Sequence, residues 1–480
     1  MLPWDLSLIA PEIVLCICGI AVLLAECVVT RRHGWVAPAI AILGLVIFIA
    51  TSARLSMAFA PSEFSGSVAV DGLAVFFKIA LGITLILVIM SSVHYFRAIP
   101  IGRGELYGLL VLITIGLSFM AASTDLVMIY MSIELVSVGS YVLAGYLKTD
   151  RRSNEAALKY FLFGAVCSAV MLYGISLLYG VSGSTNILQI REALADAPRV
   201  VTLLGLCMML VGFGFKISMA PFHAWAPDVY EGAPTPVTAF FSVAPKIAGV
   251  ALLLRVLQSA MPAGLTENWI TIVALLCALT MTVGNLGALR QTNIKRLLAY
   301  SSIAHAGYML IGVVAFRTED LDVAPLLYYV VAYVFMNLGA FGVAIVMGEA
   351  TGTDEFPRWA GLARRAPALA GMMAVFLLSL TGIPPLAGFV GKLYLFLAAI
   401  GDERLWWLAV VAIANSVVSL YYYANVLKYM YFAPVGETAS VQQPLVARAG
   451  IGVCCVMTLL LGVLPARFLE VIAASTEIIR

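Results

Sequence analysis

The sequence predicts an all-α, polytopic membrane protein of about fourteen transmembrane helices, and three observations carry that prediction. Of its 480 residues 62% are hydrophobic and 11% charged, and the mean hydropathy is +1.02, against about 45–50% apolar and 25% charged in globular domains. Apolar runs of roughly 20 residues, the length with which a helix crosses about 30 Å of hydrocarbon, recur along the whole chain with short polar gaps. The runs are continuous, without the alternation over about ten residues that marks a barrel strand. They cover 6–29, 35–54, 72–94, 105–122, 125–147, 156–181, 200–226, 235–258, 269–289, 294–316, 325–348, 368–400, 405–431 and 448–470, helices 1 to 14.

A net charge of +2, with no run of five or more like charges, gives no basis for a nucleic-acid partner. The eight cysteines (16, 18, 27, 167, 207, 277, 454 and 455) lie inside apolar runs without metal-ligand or redox spacing, so small core residues are expected and no metal or cofactor site. The start Met1-Leu2-Pro3-Trp4-Asp5 offers no positive segment, and no small-residue cleavage site precedes Arg31, so helix 1 is expected to be retained. Loops joining helices 1–2, 3–4, 5–6, 7–8, 9–10, 11–12 and 13–14 hold 15 lysines and arginines, and the opposite side, with both termini, holds 8. The excess marks the first side as cytoplasmic and turns both termini outward.

Five basic residues remain inside the spans, and all are lysines: Lys78, Lys159, Lys216, Lys246 and Lys392. A buried lysine can shed its proton near neutral pH, whereas an arginine effectively cannot. That selection points to proton handling.

Glu12 and Glu26 lie within a turn or two of the ends of helix 1 and read as interfacial, whereas Lys78, six residues after Asp71, is either interfacial or a functional buried lysine. The 55–71 connection, with Pro61, Ser62, Ser65 and Gly66, is an outer loop. Glu134 stands about ten residues from either end of helix 5, a mid-membrane depth where an ionisable group is a functional candidate. Tyr130, Glu134, Ser137 and Tyr141 form one stripe at i, i+4, i+7 and i+11. On helix 6, Glu155 and Lys159 at i, i+4 suit either a surface pair or the proton path. The polar 182–199 loop has room for a short interfacial helix and offers no chemistry.

Helix 7 is interrupted around Gly214 and Pro221, with Lys216 before the break and His223 after it. Helix 8 carries Thr235, Thr238, Ser242 and Lys246 on one face, a wetted path to the lysine or hydroxyls bonded to their own helix carbonyls. Thr282 and Asn285 mark helix 9. Helix 10 brings Ser301, His305 and Tyr308 at i, i+4, i+7, with His305 a proton relay or a satisfied core histidine. Tyr329, Tyr333 and Asn337 share a face of helix 11, helix 12 is broken at Gly382-Ile383-Pro384-Pro385 before Lys392, and helix 13 adds Asn415, Ser419 and Tyr422.

ALKYFLFGAVCSAVMLYG (157–174) matches LLYYVVAYVFMNLGAFG (326–342) weakly at an offset near 169, and Pro221 corresponds to Pro384 and Pro385. Helices 4–8 therefore repeat as helices 9–13. A shift of five spans inverts the second copy, the plan of secondary transporters whose discontinuous helices carry the site at mid-membrane. The division expected is 1–104 (helices 1–3), 105–258 (first repeat), 269–431 (second repeat) and 448–480 (helix 14), with Lys392 the functional counterpart of Lys216.

SIELVSVGSYVLAGY (132–146), FHAWAPDVYEGAPTPVTAF (222–240), NIKRLLAYSSIAHAGY (293–308) and LSLTGIPPLAGFVGKLYLF (378–396) resemble the subunit N family of bacterial NADH:quinone oxidoreductase, respiratory complex I. The likeness runs from about Asp71 to Tyr431, and DVYEGAPTP is characteristic of this subunit among its antiporter-like relatives. The resemblance implies that Glu134 and Lys216 form a charged pair, that Lys246 is the central lysine and that Lys392 faces the exit. Lys159 and His223 match further polar positions. It also implies translocation of protons across the bacterial inner membrane, coupled to electron transfer in partner subunits that hold NADH, flavin, iron–sulfur clusters and quinone. The partners expected are other membrane subunits, antiporter-like relatives and small ones among them, with lipid, protons and water. No GxxxxGK[ST], no GxGxxG after a strand and no haem or cluster pattern gives this chain an energy source of its own. Two other readings fit the same charges: a stand-alone cation/proton antiporter complex, or a passive subunit whose buried lysines only specify packing.

Overall fold

The computed structural model describes residues 5–28, 34–58, 62–97, 103–316, 323–434 and 441–473. Pro61, Arg31, Arg32, Arg317, Arg480 and residues Met1 to Trp4 of the start lie outside the described residues. Thirteen described helices are long and apolar enough to cross a membrane. A fourteenth span is split into Pro367–Thr381 and Ala387–Ile400, so the fold is a bundle of fourteen spans. Helix 8 (Thr235–Ser259) is buried at every residue but Gln258, and helices 10 (Ile294–Ala315) and 11 (Ala324–Thr351) are almost as buried. Helices 1, 2, 5, 6, 9, 13 and 14 wrap this core and turn much of their surface outward.

The inverted repeat is written in the backbone. Asp125 caps helix 5 (Leu126–Ala144) by accepting from the Val127 and Met128 amides, and Asn293 caps helix 10 by accepting from Lys295 and Arg296. Each cap forms an isolated bridge with the turn after the next helix, Asp125 with Asn186 and Asn293 with Glu355. The long helices preceding those turns, helix 6 (Arg151–Ser182) and helix 11, end on left-handed glycines, Gly183 and Gly352. Helix 7 runs as Arg199–Ile217, breaks, and resumes as Trp225–Gly232; its first half ends on left-handed Ser218, as that of helix 12 ends on left-handed Gly382. Both breaks contain a cis X–Pro bond, Ala220–Pro221 and Pro384–Pro385.

Three expectations change. The outer loop before helix 3 (Gly72–Tyr95) is not purely coil, because Ser62–Phe64 and Val68–Val70 pair as a small antiparallel hairpin. Helix 7 stays helical through Gly214 and opens only after Ile217. The last span stops at Val463, where Pro465 begins a separate short helix, Pro465–Ala473, since proline has no N–H with which to continue the ladder. The 182–199 loop does contain a short amphipathic helix, Ile187–Leu194, with Ile187, Ile190 and Leu194 buried.

Buried polar contacts bind helices 1–3 to one another and to the repeats. Lys78 Nζ lies 2.7 Å from Glu12 Oε1, with both side chains almost wholly buried. Ser118 of helix 4 (Arg103–Ala122) donates to the same oxygen at 2.5 Å. The reading of Glu12 and Lys78 as interfacial groups therefore fails. Arg255 grips Asp71 with two hydrogen bonds of 2.8 and 2.9 Å and donates to the Ala121 carbonyl at 3.2 Å, tying helices 3, 4 and 8 together.

Candidate functional site

Lys216 occupies the last turn of the first half of helix 7, its side chain 1% exposed. A half-helix ends with carbonyls that have no intrahelical partner and with the negative end of its dipole, so a cation is stabilised there. The break that follows is pinned by neighbours. The Ala220 amide donates to Thr280 Oγ1 at 3.0 Å, and Trp225 Nε1 donates to the Phe215 carbonyl at 3.1 Å. Trp225 also stacks on Tyr160 with ring centroids 4.1 Å apart.

Glu134 is half-buried on helix 5 and accepts from Ser168 of helix 6. The Lys216 ammonium donates to Ser137 Oγ at 2.9 Å, one turn along helix 5 from Glu134. The expected charged pair is thus not in direct contact: the two groups share a helix face with the Ser137 hydroxyl on the lysine. Tyr141, at the end of the same stripe, packs so closely on helix 6 that a Cβ at Gly164 would strike its hydroxyl. His223 lies in the break, half-buried, and its Nδ1 has no protein partner.

Lys246, 1% exposed, donates to the Ser302 carbonyl at 2.8 Å and hydroxyl at 2.9 Å. Thr235, Thr238 and Ser242 above it are all buried. Thr238 donates to the Tyr230 carbonyl and Ser242 to that of Ala239, so those two hydroxyl protons are committed to backbone. Asn337 and Tyr333 of helix 11 also bond to Ser242. Beyond Ser302 the buried face of helix 10 continues. His305 Nδ1 lies 2.6 Å from the Tyr329 hydroxyl and Nε2 3.4 Å from that of Tyr423, so both ring nitrogens are engaged.

Lys392 reaches back across the second break. Its ammonium donates to the Leu380 and Thr381 carbonyls at 3.0 and 2.9 Å and to Ser416 Oγ at 3.1 Å, and lies 4.4 Å from the Tyr308 ring centroid. Aligning the two breaks places Leu380 where Lys216 stands in the first repeat. Lys392 thus delivers its ammonium to the half-helix end equivalent to the one from which the Lys216 side chain departs toward helix 5. Lys392 borders a mostly apolar cavity of about 370 Å³ lined by Thr381, Ile383, Phe389, Phe396, Ser416 and Leu420 among others.

Lys159 lies elsewhere. It is 44% exposed and pairs with Glu155 at 2.8 Å and Asp228 at 2.7 Å, lining a polar cavity of about 290 Å³ with Arg152, Glu231 and Arg296. Burial pushes the Asp228 carboxyl up, but hydrogen bonds from Lys159 and Arg296 outweigh it and hold that group below the usual carboxylate range. Sequence reasoning found the Glu155 pair and missed Asp228, 69 residues away, as it missed Ser168, Ser416 and Tyr423. Local periodicity carries no signal for such partners. No cluster of three or more potential metal-ligating side chains occurs among the described residues.

Residues 123–419 match the family of NADH:quinone oxidoreductase and Mrp antiporter membrane subunits. The NADH-quinone oxidoreductase subunit N of Trichlorobacter lovleyi is 41% identical over 99% of this chain and 98% of its own. A chain of respiratory complex I from Thermus thermophilus superposes with a TM-score of 0.81 at 34% identity, covering 97% of this chain and 99% of that one. A chain of the Mrp complex from a Dietzia species gives 0.82 at 19% identity, covering 99% of this chain and 97% of that one, a likeness of fold alone.

Proposed function

The chain belongs to the subunit N family of NADH:quinone oxidoreductases, and on that footing we propose that it carries protons across the bacterial inner membrane while partner subunits pass electrons from NADH to quinone. It is an antiporter-like membrane subunit of a redox-driven translocase. NADH, flavin, iron–sulfur clusters and quinone belong to those partners, and the faces of helices 5, 6 and 13 that point outward meet lipid or neighbouring membrane subunits. The basic loops face the cytoplasm and both termini face outward.

One observation carries the reading. Two buried lysines stand at the breaks of two inversely related helices, Lys216 in the last turn of one half-helix and the Lys392 ammonium on the end carbonyls of the other, while helix 10 holds Lys246 at Ser302 and faces Lys392 with Tyr308. Glu134 favours the protonated form of Lys216 by charge attraction; when the lysine turns to Ser137, that support weakens and the proton can leave toward Lys246 and Lys392. Three residues along one helix separate the two positions, so a side-chain swing suffices. Moving one charge against 100 mV costs about 2.3 kcal/mol, within what loosening such a pair provides. The subunit N likeness favours this over a stand-alone antiporter.

The test is Lys216→Ala in an assembled complex reconstituted into vesicles. NADH-driven proton uptake should be lost with assembly intact. Uptake that survived would sink the mechanism and leave the lysines as packing devices.

A further inference from the structure

A second cluster of polar side chains lies between helices 9 (Thr266–Ala288), 10 and 13 (Trp406–Phe432). Asn285 is fully buried; its Oδ1 accepts from the Tyr422 hydroxyl at 3.0 Å, and its Nδ2 donates to Asn415 Oδ1 at 3.2 Å. Asn415 Nδ2 in turn donates to Thr282 Oγ1 at 3.3 Å. The next residue on helix 13, Ser416, accepts from the Lys392 ammonium at 3.1 Å and donates to the Tyr308 hydroxyl at 3.2 Å. One end of this cluster is therefore the functional lysine of the second repeat. The other end is Asn285, three residues before the end of helix 9 at Ala288, or about 5 Å at 1.5 Å per residue. That helix end opens on the short loop carrying Arg290, which leads into the first turn of helix 10 with Lys295 and Arg296, on the basic side of the molecule.

We propose that Thr282, Asn285, Asn415 and Tyr422 form a second access route for protons, leading from the basic-loop face to Lys392 without passing Lys216 or Lys246. The inference rests on the proton-carrying role of Lys392. Polar groups between membrane helices serve either as interhelical glue or as the lining of an ion path. Glue has no need to run from within a turn of a helix end to an ionisable amine, whereas a path must do both. Helix 8 is a poorer route to Lys392 because its stripe ends at Lys246, whose ammonium is held by Ser302; carbonyls hold side-chain protons in both places, Thr282 donating to Ala278 and Asn285 to Met281. Amides do not relay protons readily, so the asparagines hold and orient water. A proton enters from water at the basic face and passes along water and the Tyr308 and Ser416 hydroxyls, each oxygen gaining one hydrogen and releasing another. It ends on the neutral amine of Lys392, which becomes the ammonium after its previous proton has moved on.

The test uses the whole complex in sealed vesicles of each orientation. Thr282→Cys should react with a membrane-impermeant thiol reagent from the basic-loop face, and the modification should slow proton uptake. Asn285→Leu should lower protons taken up per NADH oxidised at least twofold, while Asn285→Ser, which keeps a water-binding group, should retain most of the ratio. If Asn285→Leu fails to assemble, Thr282→Cys still decides. Reaction only from the opposite face, or an unchanged ratio in an assembled Asn285→Leu complex, would overturn the route. Lys392→Ala in the same vesicles separates the two failures. Lost uptake there with a normal Asn285→Leu sinks this route alone, and retained uptake sinks the role of Lys392 and the route with it.

Discussion

At Lys246 the ammonium sits on the Ser302 carbonyl and hydroxyl in an almost wholly buried helix, where any cation could be held by the same two oxygens. What distinguishes lysine there is that it can give its proton up. Arginine keeps its charge at any physiological pH and carries a similar length of chain. Lys246→Arg should therefore assemble and yet pump at least about tenfold more slowly, a barrier increase of about 1.4 kcal/mol or more; proton uptake per NADH in vesicles checks it. Wild-type uptake in that variant would mean that charge alone matters. Gly382 is a second residue with a definite cost. Its φ is +96°, and an added Cβ would lie 3.1 Å from Cδ of Lys392. Gly382→Ala should destabilise the chain by about 1–2 kcal/mol from the left-handed backbone alone and disturb the lysine as well. A lowered thermal midpoint of the solubilised complex, with impaired uptake, is the expected result.

Between elements, the most consequential contact is one that local sequence could not announce. Glu12 and Lys78 are 66 residues apart, each near a helix end, and each taken alone reads as a group reaching for the interface. The bundle instead turns both inward and adds Ser118 from helix 4. Removing one partner of a buried pair leaves an unpaired charge and costs about 3–5 kcal/mol in measured cases, whereas replacing both by apolar groups is often neutral. Glu12→Gln and Lys78→Met should each lower the thermal stability of the complex, and the Glu12→Leu/Lys78→Met double variant should recover most of it. Single variants as stable as the parent would show that the pair does not fasten helix 1 to helix 3. The elements themselves were far more legible. Span length, the two proline breaks and the five lysines follow from hydrocarbon thickness and from the cost of burying charge, both of which act locally on sequence. The Lys216–Ser137 contact was not legible, because Glu134 and Ser137 lie on the same face and only side-chain placement chooses between them.

For the whole molecule, the repeat and the charge asymmetry have to agree on one orientation. The caps Asp125 and Asn293 hold equivalent turns at opposite faces of the bundle, so fixing the side of one fixes the other. The Asp125 face carries the hairpin with Ser65 and the Asn186 turn, which Asn186 Nδ2 joins by donating to the Gly66 carbonyl at 2.8 Å. The Asn293 face carries Arg290, Arg296 and the basic 358–365 segment. If positive loops stay inside, the first face is outer and the second cytoplasmic. Ser65→Cys should then react with an impermeant maleimide only in right-side-out vesicles, and Gln291→Cys only in inverted ones. The opposite pattern would reverse the orientation of both half-helix ends together, and with it the direction of the proposed proton transfer through Lys216 and Lys392. Labelling of both positions from one side would contradict the inversion of the repeats.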